Sequence, residues 1–312
     1  MSLARKHSLW AVEFNATLVG GITAQRVYMG NEVRVEPTAG EVYARHAAFV
    51  ARRPGATFTS VNIAALLAQV PAMGLDIATL AAAAANGVRF YAQKHLDGGG
   101  RATGANHRRY EAVKGIAVLR TLTCDFGGDA ALSGEVLATY DGSNDPVVET
   151  DAASLPAGIT DAQRFTLGPI TIGGVLLTQF RSLSIDFGLT VELDGADSDI
   201  FPTFASIMAV RRRITARGLD VEWLKSTNIP RAGIVCTHAN TKIYLRKRTQ
   251  DTAHFVVDGT AEHIKFTAAG LAHIDEAMNA QGSRGAESSL VVDTQYDGTN
   301  DPITVNTASA IT

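Results

Sequence analysis

The residues best suited to chemistry sit in a segment that occurs twice. Tyr140-Asp141-Gly142-Ser143-Asn144-Asp145-Pro146 and Tyr296-Asp297-Gly298-Thr299-Asn300-Asp301-Pro302 each crowd carboxylates and a carboxamide into a short loop. Such oxygen-rich sequence could ligate a calcium ion. It lacks the alternate-position ligands and closing Glu of an EF-hand loop, so Asp-Gly and Asn-Asp-Pro read first as turn chemistry. His254, His263 and His273 are too widely spaced for a zinc pattern, and no Cys/His cluster supplies one. Gly98-Gly99-Gly100 with Gly104 invites a phosphate-loop reading, but no Gly-Lys-Ser/Thr ending follows. A mobile loop is the simpler reading. Asp197 and Asp199 lie in loop-like sequence where solvation suffices. No Gly-x-Ser-x-Gly elbow is present. The sequence therefore predicts no catalytic residue, no cofactor and no metal site.

One basic run stands out, Arg211-Arg212-Arg213, mirrored weakly by Arg52-Arg53. It reads either as a solvated strand edge that discourages wrong pairing or as a charged contact to a neighbouring subunit.

The elements that must position these residues repeat as the loop does. The two Tyr-Asp-Gly segments are offset by 156 residues, half of the 312-residue chain. This predicts two copies of one domain, residues 1–156 and 157–312, each long enough to bury a core. Glu32–Glu36, Thr57–Val61, Val88–Lys94, Arg108–Val113 and Ile116–Thr123 read as strands. Leu9–Gly21 reads as extended chain, and Glu41–Arg52 is ambiguous between helix and strand. Asn62 can cap a helix over Ala64–Gln69, and Asp76 another through Ala85. In the second half, Ile172-Gly173-Gly174-Val175 is matched to Val19-Gly20-Gly21-Ile22, and Arg213–Arg217 to Thr57–Val61. Lys242–Lys247 is matched to Arg89–Lys94, and His263–Phe266 to His107–Tyr110. Asp220 can cap a short helix, and Val257-Asp258-Gly259-Thr260 signals a hairpin. The expected class is mainly β (α+β), two tandem β-sandwich or barrel-like domains, each with a small flanking helix.

A net charge of −3 argues against a general nucleic-acid-binding surface. Cys124 and Cys236 occupy unmatched positions, which predicts two buried reduced thiols. The N-terminal segment is interrupted by charge and predicts no signal peptide, and no apolar run is long enough to span a membrane. The expectation is a soluble protein made in a reducing compartment.

Two fused copies can replace two subunits of a symmetric ring. Gly98–Asn106, Val147–Ala153 and the tail Ile303–Thr312, with Ile303 and Val305, then read as arms between subunits. In its size, strand-rich order, duplication and repeated Tyr-Asp-Gly-Ser/Thr-Asn-Asp-Pro segments, the chain resembles the major tail (tail tube) proteins of long-tailed bacteriophages. The likeness is to the type with two tandem tube domains. It implies a virion structural protein, not an enzyme, assembled in the bacterial cytoplasm. Trimeric rings imitating hexamers would stack into a hollow tube, with other tail proteins as partners, no membrane, and DNA passing transiently through the lumen. Gly98, Gly99, Gly100, Arg211, Arg212, Arg213, Ile303 and Val305 are the candidate inter-subunit contacts. The alternatives are another tail, baseplate or capsid-decorating protein, or a duplicated β-domain enzyme or ligand-binding protein.

Overall fold

The computed structural model describes residues 6–37, 42–77, 87–96, 100–159, 163–177, 179–196, 199–219, 229–230, 232–250, 254–280 and 286–312. The protein is mainly β. The first half carries β1 (His7–Phe14), β2 (Thr17–Val19), β3 (Ile22–Tyr28), β4 (Asn31–Pro37), β5 (Ala44–Arg52), β6 (Gly55–Ser60), α1 (Ile63–Gln69), β7 (Leu75–Asp76), β8 (Val88–Lys94), β9 (His107–Ala112), β10 (Gly115–Asp125), β11 (Ala131–Ala138) and β12 (Val147–Ala153). The second half carries β13 (Phe165–Ile172), β14 (Val175–Leu177), β15 (Phe180–Asp186), β16 (Leu189–Asp194), β17 (Phe204–Val210), β18 (Arg213–Gly218), β19 (Ile234–Cys236), β20 (Lys242–Lys247), β21 (His263–Ala268), β22 (Gly270–Asn279), β23 (Glu287–Thr294) and β24 (Ile303–Ser309).

Two five-stranded sheets have the same plan, β12-β9-β8-β1-β2 and β24-β21-β20-β13-β14. The third is one large antiparallel sheet, β3-β6-β11-β10-β15-β18-β23-β22-β19, in which β10 also pairs with β7. One face of the large sheet buries Phe58, Leu122, Leu132, Leu183, Ile185, Ile214 and Leu290 in a core continuous through both halves. The two hairpins β4-β5 and β16-β17 stand apart from these three sheets.

Hydrogen bonds fix the correspondence of the halves better than sequence can. The Lys94 N–H donates to His107 Nδ1 at 3.1 Å, and the Lys247 N–H to His263 Nδ1 at 3.1 Å. Both rings are buried. The matches of β8 to β20 and of His107 to His263 therefore hold. The Gly173-Gly174 match fails. These glycines turn β13 into β14, where Ile172 pairs with Val175. The first half makes that turn with Asn15-Ala16, between Phe14 and Thr17. All four turn residues have positive φ, the requirement of a two-residue hairpin turn. Leu9–Gly21 is thus a hairpin, and Gly20-Gly21 belongs to the next connection. Thr57 corresponds to Thr215, because Leu137 pairs with Gly55 as Asp293 pairs with Arg213. The match of β6 to β18 stands with a register change of two.

Glu41–Arg52 resolves as strand β5 from Ala44 onward. Asn62 does precede α1, but its side chain makes no cap bond. Its backbone N–H instead donates to Ser60 Oγ at 3.0 Å, and Ser60 Oγ donates to the Gly20 carbonyl at 3.1 Å. Asp76 lies in β7; the rest of the expected second helix, residues 78–86, falls outside the described residues, as does the segment 220–228 after Leu219. Val257–Thr260 is a turn closed by Thr260 N–H to Val257 O at 2.9 Å, inside the longer β20–β21 connection. Cys124 and Cys236 are free and buried, and burial pushes the Cys124 thiol up to about 12.

Candidate functional site

Among the described residues, a cluster of buried charges lies where the halves differ sharply. Glu13, Arg89 and Glu111 are cross-strand neighbours on β1, β8 and β9. Arg89 reaches Glu111 at 2.8 Å and Glu13 at 3.2 Å, and Arg109 reaches Glu111 at 3.2 Å. The Tyr91 hydroxyl donates to Glu13. Burial, then this bond, pushes the Tyr91 phenol up to about 12. The matching registers in the second half hold Thr171, Lys242 and Thr267. Each buried carboxylate is held by a guanidinium, so the lone pairs a base would use are already engaged. A cleft of about 450 Å³ lined by His7, Gln25, Arg26, Tyr110 and Glu149 lies nearby, and the Glu13 cluster does not line it. The cluster reads as an ion-pair network joining three strands. The sequence reading missed it because its members are far apart in the chain.

The Tyr-Asp-Gly loops are turns, built alike in both halves. Asp141 Oδ1 accepts from the Ser143 and Asn144 N–H groups at 2.8 and 2.7 Å, and Oδ2 accepts from the Asn144 amide at 3.0 Å. Asp297 does the same with Thr299 and Asn300 at 2.8, 2.6 and 3.0 Å. The Asn300 backbone bond, with the Asn300 side chain and Thr299, holds the Asp297 carboxyl down to about 2. A carboxylate depressed in the folded state stabilises above its unfolded value, near 3.9, and loses that contribution as pH falls toward 2. Carboxyl carbon-13 titration should place the Asp297 midpoint at least one unit below that of a free aspartate. A midpoint near 3.9 would show that the turn is not formed. Among the described residues no group of three or more His, Cys, Asp or Glu can hold a metal ion. Nor is any described helix long and apolar enough to cross a membrane.

No family model and no curated protein matches the chain. The most developed geometry of the chain lies where the halves meet.

There β10 of the first half pairs with β15 of the second, Thr121 opposite Asp186 and Asp125 opposite Ser182. The hairpin β16-β17 reaches back over the first half. Its Leu189, Val191, Ala205 and Ile207 cover Ile116, Val118 and Leu137 on the face of the large sheet away from the main core. At the hairpin tip Phe201 stacks on Tyr140 with centroids 6.1 Å apart, and the Arg52 guanidinium lies 4.8 Å from the Phe201 ring centre. The Arg52 N–H donates to Ile200 O and the Tyr140 N–H to Pro202 O, both at 2.8 Å. Lys114 Nζ donates to Tyr140 O at 3.2 Å and Thr203 O at 3.0 Å. The first Tyr-Asp-Gly segment thus begins with a docking residue and continues as a turn.

The candidate contacts separate on inspection. Gly98 and Gly99 lie outside the described residues; Gly100 is exposed and its carbonyl accepts from Leu96 N–H at 2.9 Å. Arg211 is exposed. Arg213 is exposed and faces Asp293 at 3.5 Å within the chain. Arg212 is not solvated: it is 2% exposed and donates to Ile303 O, Ala72 O and Met73 Sδ, binding the second half to the first. Burial lowers its pKa. Ile303 is buried, and Val305 packs against the core. Both belong to β24, paired along β21, so the expected C-terminal arm is a strand of its own sheet. Val147–Ala153 likewise is β12, paired with β9. A polar, β-prone tail satisfies its backbone by pairing at home, a choice that composition does not reveal.

Proposed function

We propose that the protein is a structural self-assembly protein, a tail tube subunit whose two tandem tube-like domains, residues 1–156 and 157–312, stand for two subunits of a ring. The observation that carries this reading is the β10–β15 junction. Besides the short β7 and β19, each half supplies four strands to the large sheet, β3-β6-β11-β10 and β15-β18-β23-β22. The junction joins the last of one set to the first of the next, which is a head-to-tail contact. Head-to-tail contacts generate closed rings or open filaments. The same pair of edges remains at the ends of the sheet. β3 is terminal, and β19 covers β22 only at Gly270–Ala272, as β7 covers β10 only at Ile116 and Ala117. Repeating the internal junction between chains would continue the sheet, three chains closing a ring with the symmetry of six domains.

The sheet face away from the core suits a channel for DNA. It is rich in small hydroxyls, with Thr57, Thr59, Thr123, Ser133, Ser182, Ser184 and Thr215 in register across the strands. Two of its arginines are matched by acids, Arg120 Nε donating to Glu135 Oε2 at 2.7 Å and Arg213 facing Asp293, and Arg26 and Arg217 share the face with Asp125 and Asp186. A wall without excess positive charge releases few counterions on contact and grips phosphates weakly. Sedimentation velocity across protein and salt concentration tests the reading. Species of three chains, or stacks of them, are expected. A monomer at every concentration and salt would contradict it.

A further inference from the structure

We infer that the hairpin β4-β5 is a clasp that docks on the second half of a neighbouring copy of this chain, with Tyr43 stacking on Tyr296 of that copy. The inference rests on the self-assembly reading and adds the contact that holds chains together beyond the sheet edges.

The internal contact supplies the template. β4-β5 and β16-β17 are the same hairpin: Val33 pairs with Phe49 and Val35 with Ala47, as Val191 pairs with Ile207 and Leu193 with Ala205. The register slips one step before Val33 just as it does before Val191. Gly30 and Gly188 open the two hairpins with φ of +55° and +56°. An added Cβ at either would lie 1.9 Å from a carbonyl oxygen, of Arg53 or of Arg211. In this correspondence Tyr43 stands where Phe201 stands and Phe49 where Ile207 stands. The second hairpin has its landing site within the chain; among the described residues no apolar cluster covers the first. Its apolar residues are open to solvent, Tyr43 at 81% and Phe49 at 60%, with Val33, Val35 and Val42 also exposed.

The matching landing site is exposed too. Gly115 and Gly270 begin β10 and β22 alike, an added Cβ meeting the Leu137 or the Asp293 carbonyl oxygen at 2.0 or 2.2 Å. Leu271 therefore takes the place of Ile116, and Tyr296 that of Tyr140. Leu271 is 46% and Tyr296 59% exposed. Their counterparts are covered by the second hairpin. An apolar hairpin without a seat and a seat without a hairpin, on one chain, fit each other only between copies. An exposed apolar patch such as the hairpin marks an interaction site; its seat is mixed, with His273 and Asp293 standing where Val118 and Leu137 stand. In the docked pair the Tyr296 N–H would donate to Ala44 O and the Val210 N–H to Val42 O, repeating the Tyr140–Pro202 and Arg52–Ile200 bonds.

Phe49→Asp places a charge on the exposed hairpin, so native circular dichroism and melting should be kept. Assembly measured by sedimentation should weaken at least tenfold in protein concentration, since a central aromatic carries a large share of such a contact. Ruthenium-sensitised photo-oxidation of the assembled wild type should join the Tyr43 and Tyr296 peptides of different chains through dityrosine. Tyr43→Phe should abolish that link while the protein still assembles. An assembling protein with no such link, or Phe49→Asp assembling as the wild type does, overturns the clasp and leaves the sheet-edge reading standing. A wild type that never assembles overturns both.

Discussion

Gly134→Leu should destabilise the protein by about 3 kcal/mol, and adding Phe58→Ala to it should restore most of the loss. Gly134 faces Phe58 across β11 and β6, and an added Cβ would lie 2.5 Å from Phe58 Cζ. Phe58 in turn packs between Phe14 and Phe90, each with ring centres 6.0 Å away. In the second half the same cross-strand pair is Leu290 opposite Ala216, with the sizes exchanged. The flanking positions hold Ile172 and Ile243 in place of the two phenylalanines. Each half thus fills the same space, one with a ring from β6 and the other with a leucine from β23. Phe58→Ala alone should cost about 3–5 kcal/mol through the cavity it leaves. Urea unfolding of the two single variants and the double variant checks this. The double should be more stable than either single, which requires a coupling above about 3 kcal/mol. Additive losses would show that the two positions do not share one volume.

Gly115→Ala should cost about 3–5 kcal/mol, from backbone strain together with overlap. Gly115 has φ of +129°, and its Cβ would lie 2.0 Å from Leu137 O and 2.9 Å from Ala138 Cα. The contacts are backbone inside a paired ladder, so they cannot step aside without breaking β10–β11. Gly142 separates the two causes. Its φ is +98°, but nothing lies within 4 Å of an added Cβ. Gly142→Ala should show strain alone, about 1–2 kcal/mol. Equal losses at the two positions in urea unfolding would remove the overlap from the account. Gly115 also starts the strand that receives β15, so loss of its geometry should weaken the junction of the halves before the outer sheets.

The matching turns and buried histidines are legible because both halves keep the residues that make local bonds. The Asp and Asn of each turn bond within four residues, and each buried histidine accepts from a backbone N–H on the neighbouring strand. These demands fix residue types, so the 156-residue offset survives. The Asn15-Ala16 turn was hidden because Ala16 at positive φ carries no sequence mark, whereas Gly173-Gly174 does. Gly20-Gly21 then attracted the wrong match. Arg212 is hidden because three successive arginines look exposed, either solvated or reaching a neighbouring subunit. Its neighbours are exposed, but its own position corresponds to Pro54: the Thr294 N–H donates to Arg212 O as the Ala138 N–H donates to Pro54 O. The pairing of β10 with β15 leaves no trace in either strand, since an edge strand and a joined strand alternate alike. The Glu13–Arg89–Glu111 network is invisible for the same reason, its register being set by sheet order.

Electron microscopy of the concentrated protein, with class averages down the symmetry axis, tests self-assembly most directly. The account predicts rings of three chains with six similar lobes around a central hole, alone or stacked into tubes. Closed two-fold dimers that join like edge to like edge, or single particles under every condition, would contradict it.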